Sequence, residues 1–101
     1  MTVLRDPEQA ETGVIHELIN FIGADVLEVG CGDGRLTWRY AERTRSVLAL
    51  DPDADAVEQA RAGLAELPER LRHKVAFQVA DITSADLPSE AFDVVVLAWS
   101  L

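Results

Sequence analysis

Residues 26–36 read Val-Leu-Glu-Val-Gly-Cys-Gly-Asp-Gly-Arg-Leu, and the rest of the chain is arranged around them. Three apolar residues and one acid, Val26, Leu27, Glu28 and Val29, run directly into Gly30, Gly32 and Gly34. A near-continuous apolar run predicts a strand buried on both faces, as in the middle of a parallel sheet. Alternate glycines after it predict a turn where backbone comes close to something else, because no Cβ stands in the way. In open α/β sheets, ligands bind beyond the carboxyl ends of the strands, beside such strand-to-helix turns. The turn is therefore expected to form one wall of a nucleotide-type pocket.

Upstream of this stretch, Asp6-Pro7-Glu8-Gln9 has the signature of a helix start: a capping acid, proline at the first helical position, and a glutamine that bonds back to the cap. Val14, Ile15, Leu18, Ile19 and Ile22 then share one helical face, and Gly23 supplies a stop. His16 lies off that face, where an ordinary surface histidine outweighs a catalytic base.

Downstream, a helix is expected over residues 35–44, with Leu36, Tyr40 and Ala41 inward and Trp38 partly exposed. Arg35, Arg39 and Arg43 line one of its faces, which reads as a solvated surface balancing local acids rather than a handle for an acidic substrate. A second buried strand, residues 46–50, ends in Asp51-Pro52-Asp53. Asp53 is placed to cap a helix over 54–64 that turns Ala56, Val57, Ala60 and Leu64 inward, and Pro68 ends any continuation. A third strand, 75–80, delivers Asp81-Ile82. A polar loop over 83–90 follows, then a fourth strand over 92–97 whose Val94, Val95 and Val96 are too apolar for a surface position, then Ala98 and Trp99. Strands alternating with helices predict a parallel sheet with right-handed crossovers.

The totals narrow the classes. With 101 residues and 49% hydrophobic content, one small folded domain is expected. A chain this short buries only ~60–65% of its extended surface, so its margin of stability is thin. Nine basic against 18 acidic residues leave a net charge of −9, which argues against non-specific nucleic-acid binding. Cys31 is the sole cysteine, so no internal disulfide forms. No signal-like start and no membrane-length apolar run are present, and the expected location is cytoplasmic.

The strand ends carry the chemistry. Glu28 and the glycines, Asp51, Asp81 and Ala98 all fall on one rim of a parallel sheet. An acid after the second strand is placed to accept from both hydroxyls of a ribose. A third acid is placed to accept from an exocyclic amine, with Ile82 and Pro52 sandwiching a flat base. Taken singly, Asp51 and Asp81 are equally well read as strand-end caps; the constellation is what favours a ligand. A dinucleotide fold asks for G-x-G-x-x-G, but the residue in the third glycine position from Gly30 is Arg35. Asp33 at the helix entrance disfavours a phosphate, and no G-K-[ST] follows. A dinucleotide-dependent oxidoreductase remains as a third reading, because Asp51 would serve there too. Cys31, flanked by glycines, reads as a small loop residue rather than a nucleophile. His73 reads as solvated, and Trp99 fits a stacking partner for an acceptor and a core residue equally.

Leu-Glu-Val-Gly-Cys-Gly-Asp-Gly-Arg-Leu over 27–36 resembles the first motif of class I S-adenosylmethionine-dependent methyltransferases. The resemblance continues through Leu-Ala-Leu-Asp-Pro at 48–52, Ala-Asp-Ile at 80–82 and Leu-Pro-Ser-Glu-Ala-Phe-Asp-Val-Val-Val at 87–96, so it covers about residues 10–101. It implies a Rossmann-like parallel sheet of about four strands in order 3-2-1-4, with helices on both faces. The whole would be one domain over 1–101, with an N-terminal helical segment 1–24 and a parallel α/β core 25–101. It implies S-adenosylmethionine as cofactor. Glu28 would shape the turn and help hold the cofactor's ammonium end, while Gly30, Cys31, Gly32 and Gly34 pass under its methionine and ribose portion. Asp51 would take the ribose hydroxyls, with Pro52 near the adenine. Asp81 would meet the adenine amine with Ile82 against its face, and Ala98 would sit by the sulfonium methyl. No metal ligands and no general base are implied.

Members of that family close their sheet with three more strands, whereas this sequence stops after the fourth. The expectation is a cofactor-binding half, truncated before the acceptor half, that serves methyl transfer to a small-molecule acceptor when complemented. Ala98-Trp99-Ser100-Leu101 is not the [D/N]-P-P-[F/Y] of relatives that methylate base amines, which lowers nucleic acid as acceptor. The alternative is a non-catalytic cofactor-binding fragment or sheet-completing module that self-associates through an exposed fourth-strand edge.

Overall fold

The computed structural model describes residues 21–82 and 91–98, and the backbone of residues 2–5. Among the described residues five strands, β1 (Thr2–Arg5), β2 (Asp25–Val29), β3 (Ser46–Asp51), β4 (Val75–Val79) and β5 (Val94–Leu97), form one sheet in the order β1-β5-β2-β3-β4. Every neighbouring pair is parallel. Leaving β1 aside, this is the expected 3-2-1-4 order of a Rossmann-like sheet. Val29 lies level with Leu50 on one side and Leu97 on the other, so the carboxyl ends of the three central strands open on one rim.

Three described helices follow the strands: α1 (Thr37–Tyr40), extended by a 3-10 turn at Ala41–Arg43, α2 (Ala54–Ala65) and α3 (Glu69–Arg72). Asp53 caps α2 as expected, its Oδ1 accepting from the backbone N–H groups of Asp55 at 3.0 Å and Ala56 at 3.3 Å. Alternation along β2 sends side chains to two buried layers. Val26 joins Leu36, Tyr40, Val47, Ala49, Val57, Ala60 and Phe77 on the face covered by the described helices. Leu27 and Val29 join Leu50, Val95 and Leu97 on the other, with Ile82 and Phe92 packed against them. Both layers being largely apolar explains why β5 reads as an unbroken hydrophobic run and residues 26–29 of β2 as one interrupted only by Glu28.

The far rim is polar. Arg45 binds the Asp25 carboxylate through both guanidinium branches, Nε lying 2.9 Å from Oδ1. Ser46 Oγ donates to the same carboxylate at 2.6 Å, and the Asp93 carboxylate accepts from the Asp25 N–H at 2.9 Å. These bonds tie the starts of β2, β3 and β5 together. They hold the Asp25 carboxyl at about 2, with the Arg45 hydrogen bond as the largest cause and the Ser46 bond next.

Several expectations are corrected. The outer edge of the fourth expected strand, here β5, is not open: Thr2–Arg5 pairs along it, Thr2 opposite Val94 and Arg5 opposite Leu97. The segment 1–24 is thus not helical throughout, and the edge offered for self-association is already hydrogen-bonded. The helix predicted over 35–44 is short, because the chain up to Leu36 is still engaged in the glycine turn. Pro68 closes α2, but it also opens α3, which ends beside His73. Ile22, assigned to the buried face, is 65% exposed, while Phe21 beside it is fully buried. The helix expected from Asp6 lies outside the described residues up to residue 20, and so do His16, the loop 83–90 and Trp99.

Candidate functional site

The turn after β2 is built on backbone hydrogen bonds to β3. The N–H groups of Gly30 and Cys31 both donate to the Leu50 carbonyl, at 2.7 and 3.0 Å, and Gly34 N–H donates to the Cys31 carbonyl at 3.0 Å. Gly32 N–H donates to Asp51 Oδ2 at 2.9 Å. Asp51 Oδ1 accepts from the Asp53 N–H at 2.8 Å. The carboxylate at the end of β3 is therefore fixed from both sides by backbone, and it stays half-buried rather than sealed. A carboxylate has about four acceptor positions, so acceptor capacity remains on both oxygens.

Two glycines of the turn do different work. Gly32 has φ +56° and nothing among the described residues within 4 Å of the position its Cβ would take, so these leave open space beside the Asp51 carboxylate. Gly34 has φ +88°, and a Cβ there would lie 3.0 Å from Trp38 Cζ2 and 3.1 Å from Phe77 Cζ. Gly32 leaves room on the outside; Gly34 lets α1 and β4 close beneath the turn.

Glu28 is 0% exposed. Its Oε1 accepts from Thr37 Oγ1 at 2.8 Å and from the Tyr40 hydroxyl. The Tyr40 ring stacks on Phe21 with centroids 4.4 Å apart and planes 17° apart. Burial, then the neighbouring Glu28 charge, drives the Tyr40 hydroxyl well above its usual range, so it stays protonated and donates. Glu28 thus bridges the strand before the turn and the helix after it, which is compatible with shaping the turn. Its carboxylate has no exposed surface for a direct contact with an ammonium group. Thr37 and Tyr40 were missed as parts of this arrangement. The available signal was the buried acid itself, which demands donors, and the next hydroxyls along the chain are Thr37 and Tyr40.

The remaining expected residues fall on the same rim. The Ala80 N–H donates to the Asp51 carbonyl at 3.0 Å, which extends the β3–β4 ladder up to exposed Asp81 and half-buried Ile82. The Ala98 N–H donates to the Val29 carbonyl at 2.8 Å, which sets Ala98 beside the turn from the β5 side. Pro52 is exposed. Cys31 is buried, and its thiol is pushed up to about 12, chiefly by burial and then by the charges of Glu28 and Asp51. A thiol held so stays protonated near neutral pH, which makes it a poor nucleophile. Among the described residues no group of three or more His, Cys, Asp and Glu is placed to hold a metal ion, and no helix is long and apolar enough to cross a membrane. His73 is exposed, 3.0 Å from Glu69 Oε1 on α3.

The donors of the turn limit what it can bind. The N–H groups of Gly30, Cys31, Gly32 and Gly34 are all committed within the protein, and that of Arg35 bonds Asp33 Oδ1 at 3.2 Å. A pyrophosphate cradle needs such donors pointing outward. This rim instead presents carboxylate acceptors, suited to hydroxyls, amines and cationic groups.

A family model described as a methyltransferase domain matches residues 26–101. An uncharacterised methyltransferase of Mycobacterium tuberculosis is 45% identical over 71 residues, which cover 70% of this chain and 33% of that protein. The chain thus spans about a third of the length of this curated relative. The crystal structure of an S-adenosylmethionine-dependent methyltransferase from Mesorhizobium loti superposes with a TM-score of 0.70 at 24% identity, over 87% of this chain and 38% of that one, and shows the same fold. The glycopeptide N-methyltransferase MtfA in complex with S-adenosylhomocysteine is 25% identical with a TM-score of 0.68, over 90% of this chain and 38% of that one.

Proposed function

The chain belongs to the family of S-adenosylmethionine-dependent methyltransferase domains, whose cofactor is S-adenosylmethionine, and on that premise we propose that it forms the cofactor-binding portion of an enzyme that methylates a small molecule. The observation that carries the reading is the pairing of the Asp51 carboxylate with the Gly32 N–H at 2.9 Å, next to open space in front of Gly32. A side chain at residue 32 would fill that space, and a ribose diol has the donors Asp51 can accept from. The cofactor supplies an electrophilic methyl on a sulfonium; the protein's share is to bind and orient it.

Within this reading Asp51 takes the ribose hydroxyls and Gly30, Cys31, Gly32 and Gly34 lie under the methionine–ribose portion. Pro52 and Ile82 flank the adenine, Asp81 accepts from its amine, and Ala98 leaves room near the methyl. Glu28 acts from beneath by shaping the turn. The net charge of −9 supports a small-molecule acceptor over a nucleic acid, whose phosphates it would repel. Commitment of the turn N–H groups within the protein weighs against a dinucleotide.

Calorimetric titration of the protein with S-adenosylhomocysteine, and separately with NAD, tests this. Saturable one-to-one binding of S-adenosylhomocysteine without NAD binding is expected. The reverse preference, or no binding of S-adenosylhomocysteine, would overturn the proposal.

A further inference from the structure

The turn between Gly30 and Leu36 must keep one shape if Asp51 and the space at Gly32 are to face a ligand together, yet little of the turn itself is regular. Helix α1, which leaves it, is four residues long. A single helical turn is far too short to hold its own direction. Something outside the helix has to fix it.

The fixing point is the buried acid at the top of β2. Thr37 and Tyr40 stand three residues apart, on one face of α1, and both donate to the same oxygen, Oε1 of Glu28. Glu28 sits two residues ahead of Gly30. The strand entering the turn and the helix leaving it are therefore bridged directly beneath it. Tyr40 extends the tie further: its ring lies flat on Phe21, and the Gly23 N–H donates to the Arg43 carbonyl at 2.8 Å. The chain entering β2 and the chain leaving α1 are joined on both sides of the turn. Above this bridge, Trp38 from the same helix packs against Gly34 and meets the Phe77 ring edge-on, with centroids 5.3 Å apart. A tilt of α1 would carry Trp38 away from Gly34 and drag the segment holding the Gly32 N–H off Asp51.

A purely stabilising role is the weaker account. A buried carboxylate is a poor source of stability, and apolar side chains of similar size often serve a core as well or better. What an apolar pair would lack is direction. Two hydroxyls converging on one oxygen define an angle between strand and helix that apolar packing leaves loose.

We propose that Thr37 and Tyr40 are positioning residues for the cofactor: by donating to Glu28 Oε1 they hold the turn over residues 30–36 in the shape that keeps Gly32 on Asp51 and its outer side open. This rests on the cofactor reading above for its binding arm, but not for its conformational arm.

The experiment uses the full chain in a Trp99→Phe background, so that Trp38 alone reports emission. Tyr40→Phe keeps the ring on Phe21 and removes the hydroxyl. Thr37→Val keeps shape and removes the hydroxyl, and Thr37→Ser restores it. Val47→Ala, a core truncation at the start of β3 near the opposite rim, controls for loss of stability. Without ligand, Tyr40→Phe and Thr37→Val are expected to shift Trp38 emission, while Thr37→Ser and Val47→Ala leave it as in the parent. With S-adenosylhomocysteine, the two hydroxyl deletions weaken binding about fivefold or more, Thr37→Ser recovers it, and Val47→Ala lowers the melting temperature without changing affinity. Parental emission and affinity in Tyr40→Phe and Thr37→Val would overturn the proposal, as would equal shifts in Val47→Ala. If the parent bound no S-adenosylhomocysteine, the cofactor reading would fall, and the ligand-free emission would still decide whether the hydroxyls set the turn.

Discussion

Removing the Asp51 carboxylate should separate binding from folding, and its size can be worked from the two bonds already in place. Oδ2 accepts from Gly32 at 2.9 Å and Oδ1 from Asp53 at 2.8 Å. Each oxygen keeps about one acceptor position free, enough for two hydroxyls of a ribose. A hydrogen bond to a charged group contributes ~1.5–3 kcal/mol net. Two such bonds do not add in full, because water refills the space left by alanine. A loss of about 1.5–3 kcal/mol, or ~10–150-fold in affinity, is therefore expected for Asp51→Ala. Asp51→Asn should fall between, since its amide must turn N–H toward one of the two backbone donors. Calorimetry with S-adenosylhomocysteine and with its 2′-deoxy analogue forms a cycle: the analogue should already be weak, and Asp51→Ala should cost it much less. If Asp51→Ala bound S-adenosylhomocysteine as the parent does, or weakened both ligands equally, the carboxylate would not be meeting the ribose.

The two positive-φ glycines should respond differently to alanine. Gly32→Ala meets open space and carries only backbone strain of about 1–2 kcal/mol, yet should weaken S-adenosylhomocysteine because its methyl enters the hollow. Gly34→Ala adds overpacking against Trp38 and Phe77 and should lose about 2–4 kcal/mol in urea unfolding. On the far rim, the Asp25 carboxyl is depressed from 3.8 to about 2, so its contribution is complete above about 4 and disappears as pH falls through about 2. Acid titration of stability should be flatter over that window in Asp25→Asn than in the parent. The Cys31 thiol, raised from 9.0 to about 12, should resist a disulfide reagent at neutral pH until the chain unfolds. Its linkage runs the other way: the folded state holds the proton more tightly, so stability falls as pH rises above about 9.

The central strands were legible because burial on both faces favours apolar residues at nearly every position, and Val94, Val95 and Val96 satisfy that without help from context. The Asp53 cap was legible because its partners are two and three residues away. β1 was not: Thr2–Arg5 is four residues without a period, and what makes it a strand is Val94, far along the chain. Ile22 misled because the spacing from Val14 continues through it, while the inward contact is made by Phe21 on Tyr40. The rim residues Asp51, Asp81 and Ala98 were readable because parallel strands must end on one side. The Glu28 bridge was only half readable. The sequence shows an acid where water cannot reach, but which hydroxyls answer it depends on how sharply the glycine turn bends, and that bend is a tertiary fact.

One short motif therefore holds two kinds of residue that sequence spacing alone does not separate. Glu28, Cys31 and Gly34 are buried or jammed against neighbours, which suits them to give the turn its shape in the proposed reading. Gly32, with Asp51 beside it, faces open space, and under the proposed function that is where the cofactor would lie. The division follows from geometry. A strand alternates its side chains between two buried layers, so an acid within it is carried inward; the turn after it is free of that constraint, and its backbone faces the rim. Substitutions in the first group should therefore lose folding and binding together, while those in the second lose binding with the fold largely intact. That difference in pattern, more than any single affinity, is what a shape-holding base under a ligand-facing rim requires.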